Sequence, residues 1–193
     1  MDTHEARPLV GSALPDMTLD AFIRGDLGKV SFKDYRKKWV VLFFYPADFT
    51  FVCPTELSEL ADLYPQFVKE GAEVMSVSTD TAFVHKAWHD HSESIKKIEF
   101  PMLADAAGNL SKHLGIYLSD SGLSLRGSFI IDPDGFIQAF EVHQNSIGRN
   151  PSELLRKLQA AKFVREHGGE VCPVNWKPGA KTLKPSADLV GKI

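Results

Sequence analysis

The sequence predicts an α/β fold. One continuously apolar run, Trp39-Val-Val-Leu-Phe-Phe-Tyr45, has the character of a strand buried on both faces, as parallel sheets require. Strand-like and helix-like segments alternate through the first two thirds of the chain. Two later strand-like runs, Ser128 to Asp132 and Phe136 to Val142, are joined by the turn residues Pro133-Asp134-Gly135. The 193 residues suit one domain with a sizeable core and an appended tail.

After the Trp39 run comes a loop, Pro46 to Val52. Leu57, Leu60, Ala61, Tyr64, Phe67 and Val68 then recur at helical spacing, with Pro65 inside the pattern as a kink and Gly71 as its stop. Glu73 to Thr79 reads as a second buried strand. Thr81 to about Ile95 reads as a helix with Phe83, Val84, Ala87, Trp88, His91 and Ile95 on its apolar side. A shorter helix follows at Asn109 to Leu114. Asn150-Pro151-Ser152-Glu153 opens the last helix with a cap, a proline at the first position and an acid three residues on. Leu154, Leu155, Leu158, Ala161 and Val164 form its apolar side, and Gly168-Gly169 end it. The order β-α-β-α, hairpin, α fits a thioredoxin-like sheet with helices on both faces. We divide the chain into a domain over residues 1–169 and an arm over 170–193, proline-containing and weakly periodic, expected to need another surface to pack on.

Hydrophobic residues make up 44% of the chain, charged residues 24%, and the net charge is −3. Nothing in this balance points to nucleic acid or an anionic membrane as a partner. The opening residues lack an apolar signal core and no stretch approaches a membrane span, so the expected location is the cytoplasm. No glycine-rich phosphate loop of a standard pattern occurs, and no bound cofactor or metal is expected.

The chain has two cysteines, Cys53 and Cys172, too few for a disulfide framework. Cys53 follows a buried strand and its loop and opens a strong helix, with Pro54 in the first turn, where no amide bond is lost. Unpaired amides and the positive end of the helix dipole point there and favour the thiolate, the nucleophilic form. An inert, helix-capping core cysteine is the competing reading.

The preceding loop carries the spacing Pro46-x-x-x-Thr50-x-x-Cys53, and here the chain resembles the peroxiredoxins. The resemblance extends through Phe43-Phe-Tyr-Pro46, Cys53-Pro-Thr-Glu56, Ser76-Val-Ser-Thr-Asp80, His85-Lys-Ala-Trp88, Arg126-Gly-Ser-Phe-Ile-Ile-Asp132 and Gly169-Glu-Val-Cys-Pro173. It covers almost the whole chain, and the ending Asp188-Leu-Val-Gly-Lys-Ile193 is similar to the alkyl hydroperoxide reductase C branch of the typical 2-Cys members.

The resemblance implies a thioredoxin-like fold with peroxiredoxin-type extensions and a C-terminal arm. It also implies reduction of hydrogen peroxide and organic hydroperoxides, with peroxynitrite a further substrate. Cys53 would attack peroxide and become a sulfenic acid. Arg126 would stabilise the thiolate and donate to peroxide, Thr50 would bond both through its hydroxyl, and Pro46 would shield the pocket from water. Glu56 and Arg149 match positions that orient the arginine through ion pairs. Cys172 would resolve the sulfenic acid as a disulfide, within one chain or between two. The implied partners are an external disulfide reductase, either a flavoprotein subunit or thioredoxin, and further copies of the chain in a homodimer and a decameric ring.

Members prone to overoxidation carry a Gly-Gly-Leu-Gly insertion and a C-terminal Tyr-Phe. Neither is present here, which implies ready local unfolding around Cys53 and resistance to sulfinic acid formation. A dithiol reductase is the rival enzyme class, but Val52-Cys53-Pro54-Thr55-Glu56 lacks its second thiol. A holdase chaperone is the non-enzymatic rival. His85 and His89, four apart on a helix, read as a surface face rather than a metal pair, and His91 reads as packed.

Overall fold

The computed structural model describes residues 8–192; the opening residues 1–7 and Ile193, both used in the sequence readings, lie outside it. The first hairpin joins β1 (Thr18–Ile23) to β2 (Asp26–Ser31). Its two linking residues, Arg24 and Gly25, both have positive φ (49° and 99°), the handedness that matches the twist of paired strands. The sequence reading missed this hairpin. Gly25 was its only strong local signal.

The following elements are β3 (Trp39–Phe44), α1 (Cys53–Lys69), β4 (Ala72–Ser78), α2 (Ala82–His91), β5 (Met102–Ala104) and α3 (Asn109–His113). A small ribbon, β6 (Tyr117–Leu118) with β7 (Leu123–Ser124), precedes the hairpin β8 (Arg126–Ile131) and β9 (Ile137–His143), and α4 (Pro151–Glu166) closes the regular structure. The main sheet has the order β2-β1-β5-β4-β3-β8-β9. Its centre is parallel, β3 with β4 and β4 with β5, while β8 pairs antiparallel to β3 and β1 antiparallel to β5. The expected parallel half with an added hairpin is therefore present, and the fold is the thioredoxin-like α/β class predicted.

All six residues of β3 are buried, as its unbroken apolar run requires. Val40, Leu42 and Phe44 point to one core, with Met75, Val77, Phe129 and Ile131. Phe44 meets Phe129 edge-on at 5.6 Å. Each such side chain contributes roughly 1.5–3 kcal/mol by leaving water. Phe43 points to the opposite face, which α1 covers with Leu57, Leu60, Tyr64 and Phe67; Val68, also expected inward, is exposed.

Helix α2 corrects the sequence reading. Its buried face is Ala82, His85 and Trp88, whereas Phe83 and His91 are exposed and Ile95 lies beyond the helix end. Hydrophobicity rightly put Trp88 and Ile95 inward but wrongly chose Phe83 and His91 over His85, because a polar residue can enter a core when its hydrogen bonds are met. The His85 ring is fully buried. Its Nδ1 lies 2.7 Å from an Asp48 carboxylate oxygen and its Nε2 3.1 Å from the Leu103 carbonyl. His85 is thus no surface histidine, and His91 is no packed one.

The chain packs as two compact units, one running through Pro151 and one starting at Ser152. In the second unit the arm folds back over α4 instead of lying without a surface of its own. Trp176 is buried beside the Phe163 ring at 4.9 Å, and Val171 and Leu183 bridge through reciprocal backbone hydrogen bonds. Among the described residues no helix is long and apolar enough to cross a membrane.

Candidate active site

Cys53 is the first residue of α1, with Val52 at the cap and Pro54 in the first turn, as the sequence predicted. Strand β3 delivers the chain to this point, and the loop 46–52 turns it into the helix. That turn forces Phe49 into a left-handed conformation (φ 53°) that aromatic residues seldom adopt. The Cys53 side chain is fully buried.

Arg126 opens β8, the neighbour of β3 in the sheet. Its Nη1 lies 3.3 Å from the Cys53 sulfur and 2.7 Å from Glu56 Oε2, and its Nε donates to the Asn145 carbonyl at 2.9 Å. Glu56 stands three residues after Cys53 on the same helix face, one turn deeper. Arg149 grips the other side of this carboxylate. Its backbone N–H and Nε donate to Oε1 at 2.7 and 3.0 Å, and its Nη2 donates to Oε2 at 3.0 Å. Arg149 Nη1 donates to the Gly127 carbonyl and the Ser128 hydroxyl, while its guanidinium lies 3.4 Å from the Phe43 ring centre.

The three charged side chains are nearly inaccessible, at 3% for Arg126, 2% for Glu56 and 0% for Arg149. Buried charges persist only when paired and hydrogen-bonded, and Glu56 serves two cations at once. Burial alone would push its carboxyl up, but hydrogen bonds and charge from Arg149, with help from Arg126, hold it below the ordinary range. Two buried guanidinium groups and one buried carboxylate thus stand together beside the Cys53 sulfur. Gly127 is needed at its position, since a β-carbon there would stand 2.7 Å from the Phe129 ring.

Pro46 is buried immediately after β3, and Thr50 is half-buried. The Thr50 hydroxyl donates to the Ala47 carbonyl at 2.8 Å, so its hydrogen is engaged within the loop and its lone pairs are left to accept. A second polar network holds the same loop. Tyr45 donates to Asp48 at 2.7 Å, Asp48 meets His85 through its other oxygen, and the Asp48 amide donates to Asp80 at 2.9 Å. Burial raises the Asp48 carboxyl above its usual range, with the His85 and Tyr45 hydrogen bonds opposing.

Cys53, Arg126, Glu56 and Arg149 are thus brought together, as predicted. Phe43, Asn145 and the Asp48–His85 pair were missed. Asp48 lay inside the motif as an unassigned position. The Asn145 contact is through backbone, which no sequence pattern marks.

Cys172 lies in the second unit, half-buried, with its sulfur 3.9 Å from the Ala160 carbonyl of α4. Burial pushes its thiol up, nearby Arg156 pulls it down and Glu170 pushes it further up, and the net direction is up. Arg156 is fixed by both carboxylate oxygens of Glu153 and by the Trp176 carbonyl at 3.1 Å. Among the described residues no group of three or more His, Cys, Asp or Glu side chains is placed to hold a metal ion.

Residues 10–140 match the family described as AhpC/TSA, and residues 160–192 match the C-terminal domain of 1-Cys peroxiredoxin. The chain is 51% identical over 185 residues to alkyl hydroperoxide reductase C of Salmonella typhimurium, covering 96% of this chain and 99% of that one. The protein of the same name from Amphibacillus xylanus is 48% identical over 186 residues, again with 96% and 99% covered. Among solved structures, Enterococcus faecalis AhpC superposes with a TM-score of 0.84 at 47% identity, covering 86% of this chain and 100% of that one. Reduced Plasmodium vivax 2-Cys peroxiredoxin gives 0.89 at 34% identity, with 94% and 96% covered.

Proposed function

We propose, from the premise that this chain belongs to the AhpC/TSA family of peroxiredoxins and is a thiol-dependent peroxidase, that Cys53 is the residue that attacks the hydroperoxide. The observation that carries this is a fully buried sulfur on the first turn of α1 with an arginine donor at 3.3 Å. The thiolate attacks one peroxide oxygen and the O–O bond breaks. The other oxygen leaves with its bonding electrons and takes a proton, giving an alcohol or water and a Cys53 sulfenic acid. Arg126 touches the sulfur and is suited to offset the charge that develops on the departing oxygen. Thr50, its own hydrogen already engaged, is suited to accept from the substrate hydroxyl. Pro46 adds no donor and helps keep water from the pocket. Glu56 and Arg149 act through Arg126 as positioning residues.

Cys172 then condenses with the sulfenic acid, releasing water and forming a disulfide. We assign this to two chains of a homodimer, assembled further into a decameric ring. An external dithiol, from a flavoprotein reductase subunit or thioredoxin, restores both thiols and is itself oxidised. Hydrogen peroxide, organic hydroperoxides and peroxynitrite are the substrates in this reading, the cytoplasm is the location, and no bound cofactor takes part. The functional division follows the chemistry: residues 1–169 carry the peroxide site and 170–193 the second thiol.

Non-reducing electrophoresis after stoichiometric peroxide tests the cycle. Wild type should give a disulfide-linked dimer that both Cys53→Ser and Cys172→Ser lack. Undiminished peroxide consumption by Cys53→Ser would overturn the assignment. Without the Gly-Gly-Leu-Gly insertion, Cys53 should resist overoxidation. Intact-mass measurement during turnover should then find little sulfinic product at low peroxide excess, and an abundance of it would refute this.

A further inference from the structure

The Cys53 side chain is fully enclosed, so no second thiol can come within the roughly 2 Å of a disulfide bond unless the sulfur leaves its place. Leaving breaks the 3.3 Å contact with Arg126 Nη1. Glu56 lies three residues on in the same helix, and its 2.7 Å bond to the same Nη1 is disturbed with it. The Arg126 side chain is only 3% exposed, and a buried cation that loses its partners is costly. Opening the first turn of α1 therefore requires other acceptors for this guanidinium.

Two atoms are placed to receive it. Among the described residues, His143 Nδ1 and Asn145 Oδ1 are buried and have no hydrogen-bond partner. His143 is the direct cross-strand partner of Arg126 in the β8–β9 pair. Both side chains therefore stand on one face of the sheet, with their β-carbons roughly 5 Å apart. Asn145 already meets Arg126 through its backbone carbonyl, 2.9 Å from Nε. Its Oδ1 is an acceptor, and so is His143 Nδ1 when the imidazole carries its proton on Nε2. The contacts of Arg126 with sulfur, Glu56 and the Asn145 carbonyl use Nη1 and Nε and leave the Nη2 donors to spare. Buried polar atoms are nearly always paired, because an unpaired one has lost its hydration without return. Two such acceptors beside one guanidinium mark a second place for it.

We infer that His143 and Asn145 form the seat of Arg126 in the opened site. They are positioning residues for the resolving step and act through Arg126. In the closed site the guanidinium serves the sulfur and Glu56, and the two acceptors go unused. As the Cys53 sulfenic acid moves out, the guanidinium turns to them, and new bonds form while old ones break. Opening is then easier, and the sulfenic acid meets Cys172 before a second peroxide. The inference rests on the proposed cycle of Cys53 and Cys172 and names what lowers the barrier between its two steps.

The test follows the reduced full chain after one equivalent of hydrogen peroxide. Quenched intact-mass measurement reads loss of the Cys53 thiol as the first step and the disulfide as the second. In His143→Leu/Asn145→Leu the disulfide should form about tenfold more slowly, the worth of one hydrogen bond to a charged group. The peroxide step should change less than about twofold, so sulfinic product at high peroxide excess should rise. His143→Gln keeps an acceptor at that place and should resolve within about twofold of wild type. The reduced double variant should unfold at no lower denaturant concentration than wild type, because no bond of the closed site is removed. Disulfide formation at the wild-type rate in the double variant would overturn the inference. So would equal slowing of both steps, or a less stable reduced protein, either of which would assign the pair to the closed site. Failure of wild type to form any disulfide would instead overturn the cycle itself.

Discussion

Cys53 is enclosed at the start of α1 with a guanidinium 3.3 Å from its sulfur, whereas Cys172 rests half-buried over α4 with a backbone carbonyl at 3.9 Å. The first setting places two guanidinium groups and one carboxylate, all buried, beside the sulfur. The second keeps its thiol up, chiefly by burial, with one arginine opposing. The difference teaches how one chain gives two chemically identical side chains different surroundings. In the proposed cycle, the thiol that meets peroxide needs its compensating charge in place beforehand, because reorganising that charge would add to the barrier. The thiol that waits for a sulfenic acid in that cycle is better lightly held.

The contrast can be broken most severely at Glu56. Glu56→Gln leaves two buried guanidinium groups without their shared anion, and we expect a loss of about 3–5 kcal/mol in denaturant unfolding. The same carboxylate sets an acid limb. Its folded value lies below the ordinary glutamate value of 4.5, so its stabilisation is full above that value and is lost as pH falls through the lowered one. The Gln variant should lack this limb, and an unchanged acid unfolding curve would count against the bridging role.

Arg126→Met should lower the second-order rate constant of Cys53 with peroxide by roughly 10²–10³, the cost of losing one preorganised donor. Stopped-flow oxidation measures it, and alkylation of Cys172 in the same protein should not change. A smaller effect follows at the loop. Asp48→Asn removes a carboxylate from the Tyr45–His85 network and should cost about 1–3 kcal/mol, seen as faster hydrogen exchange in residues 46–52. Protection equal to wild type would show that the network does not hold the loop. The mildest change tests the second setting. Trp176→Ala should loosen the arm, relieve the burial that raises Cys172, and speed its alkylation near pH 8 about threefold, since a lower thiol value means more thiolate. A slower reaction would reverse our account of that site.

Much of the candidate site was legible in the residues. Position at a helix start marked Cys53, and the spacing Pro46-Thr50-Cys53 gave it a context. Arg126, Glu56 and Arg149 were legible only through resemblance, since 73 residues separate the arginine from the sulfur it meets. The helix α2 face was misread because Phe83 outranks His85 on any hydrophobic scale. Only the acceptors supplied by Asp48 and Leu103 make the histidine the better core residue. Asn145 and Gly127 contribute through backbone carbonyls that every residue possesses.

The sequence by itself determined the parallel centre of the sheet, the helix that begins at Cys53 and the late hairpin, because periodicity and turn chemistry are local properties of the chain. Tertiary structure alone decided which charges share Glu56, which face of α2 is buried and where the arm rests. Those outcomes depend on partners far apart in sequence, and burial fixes their worth only once the sheet has brought them together.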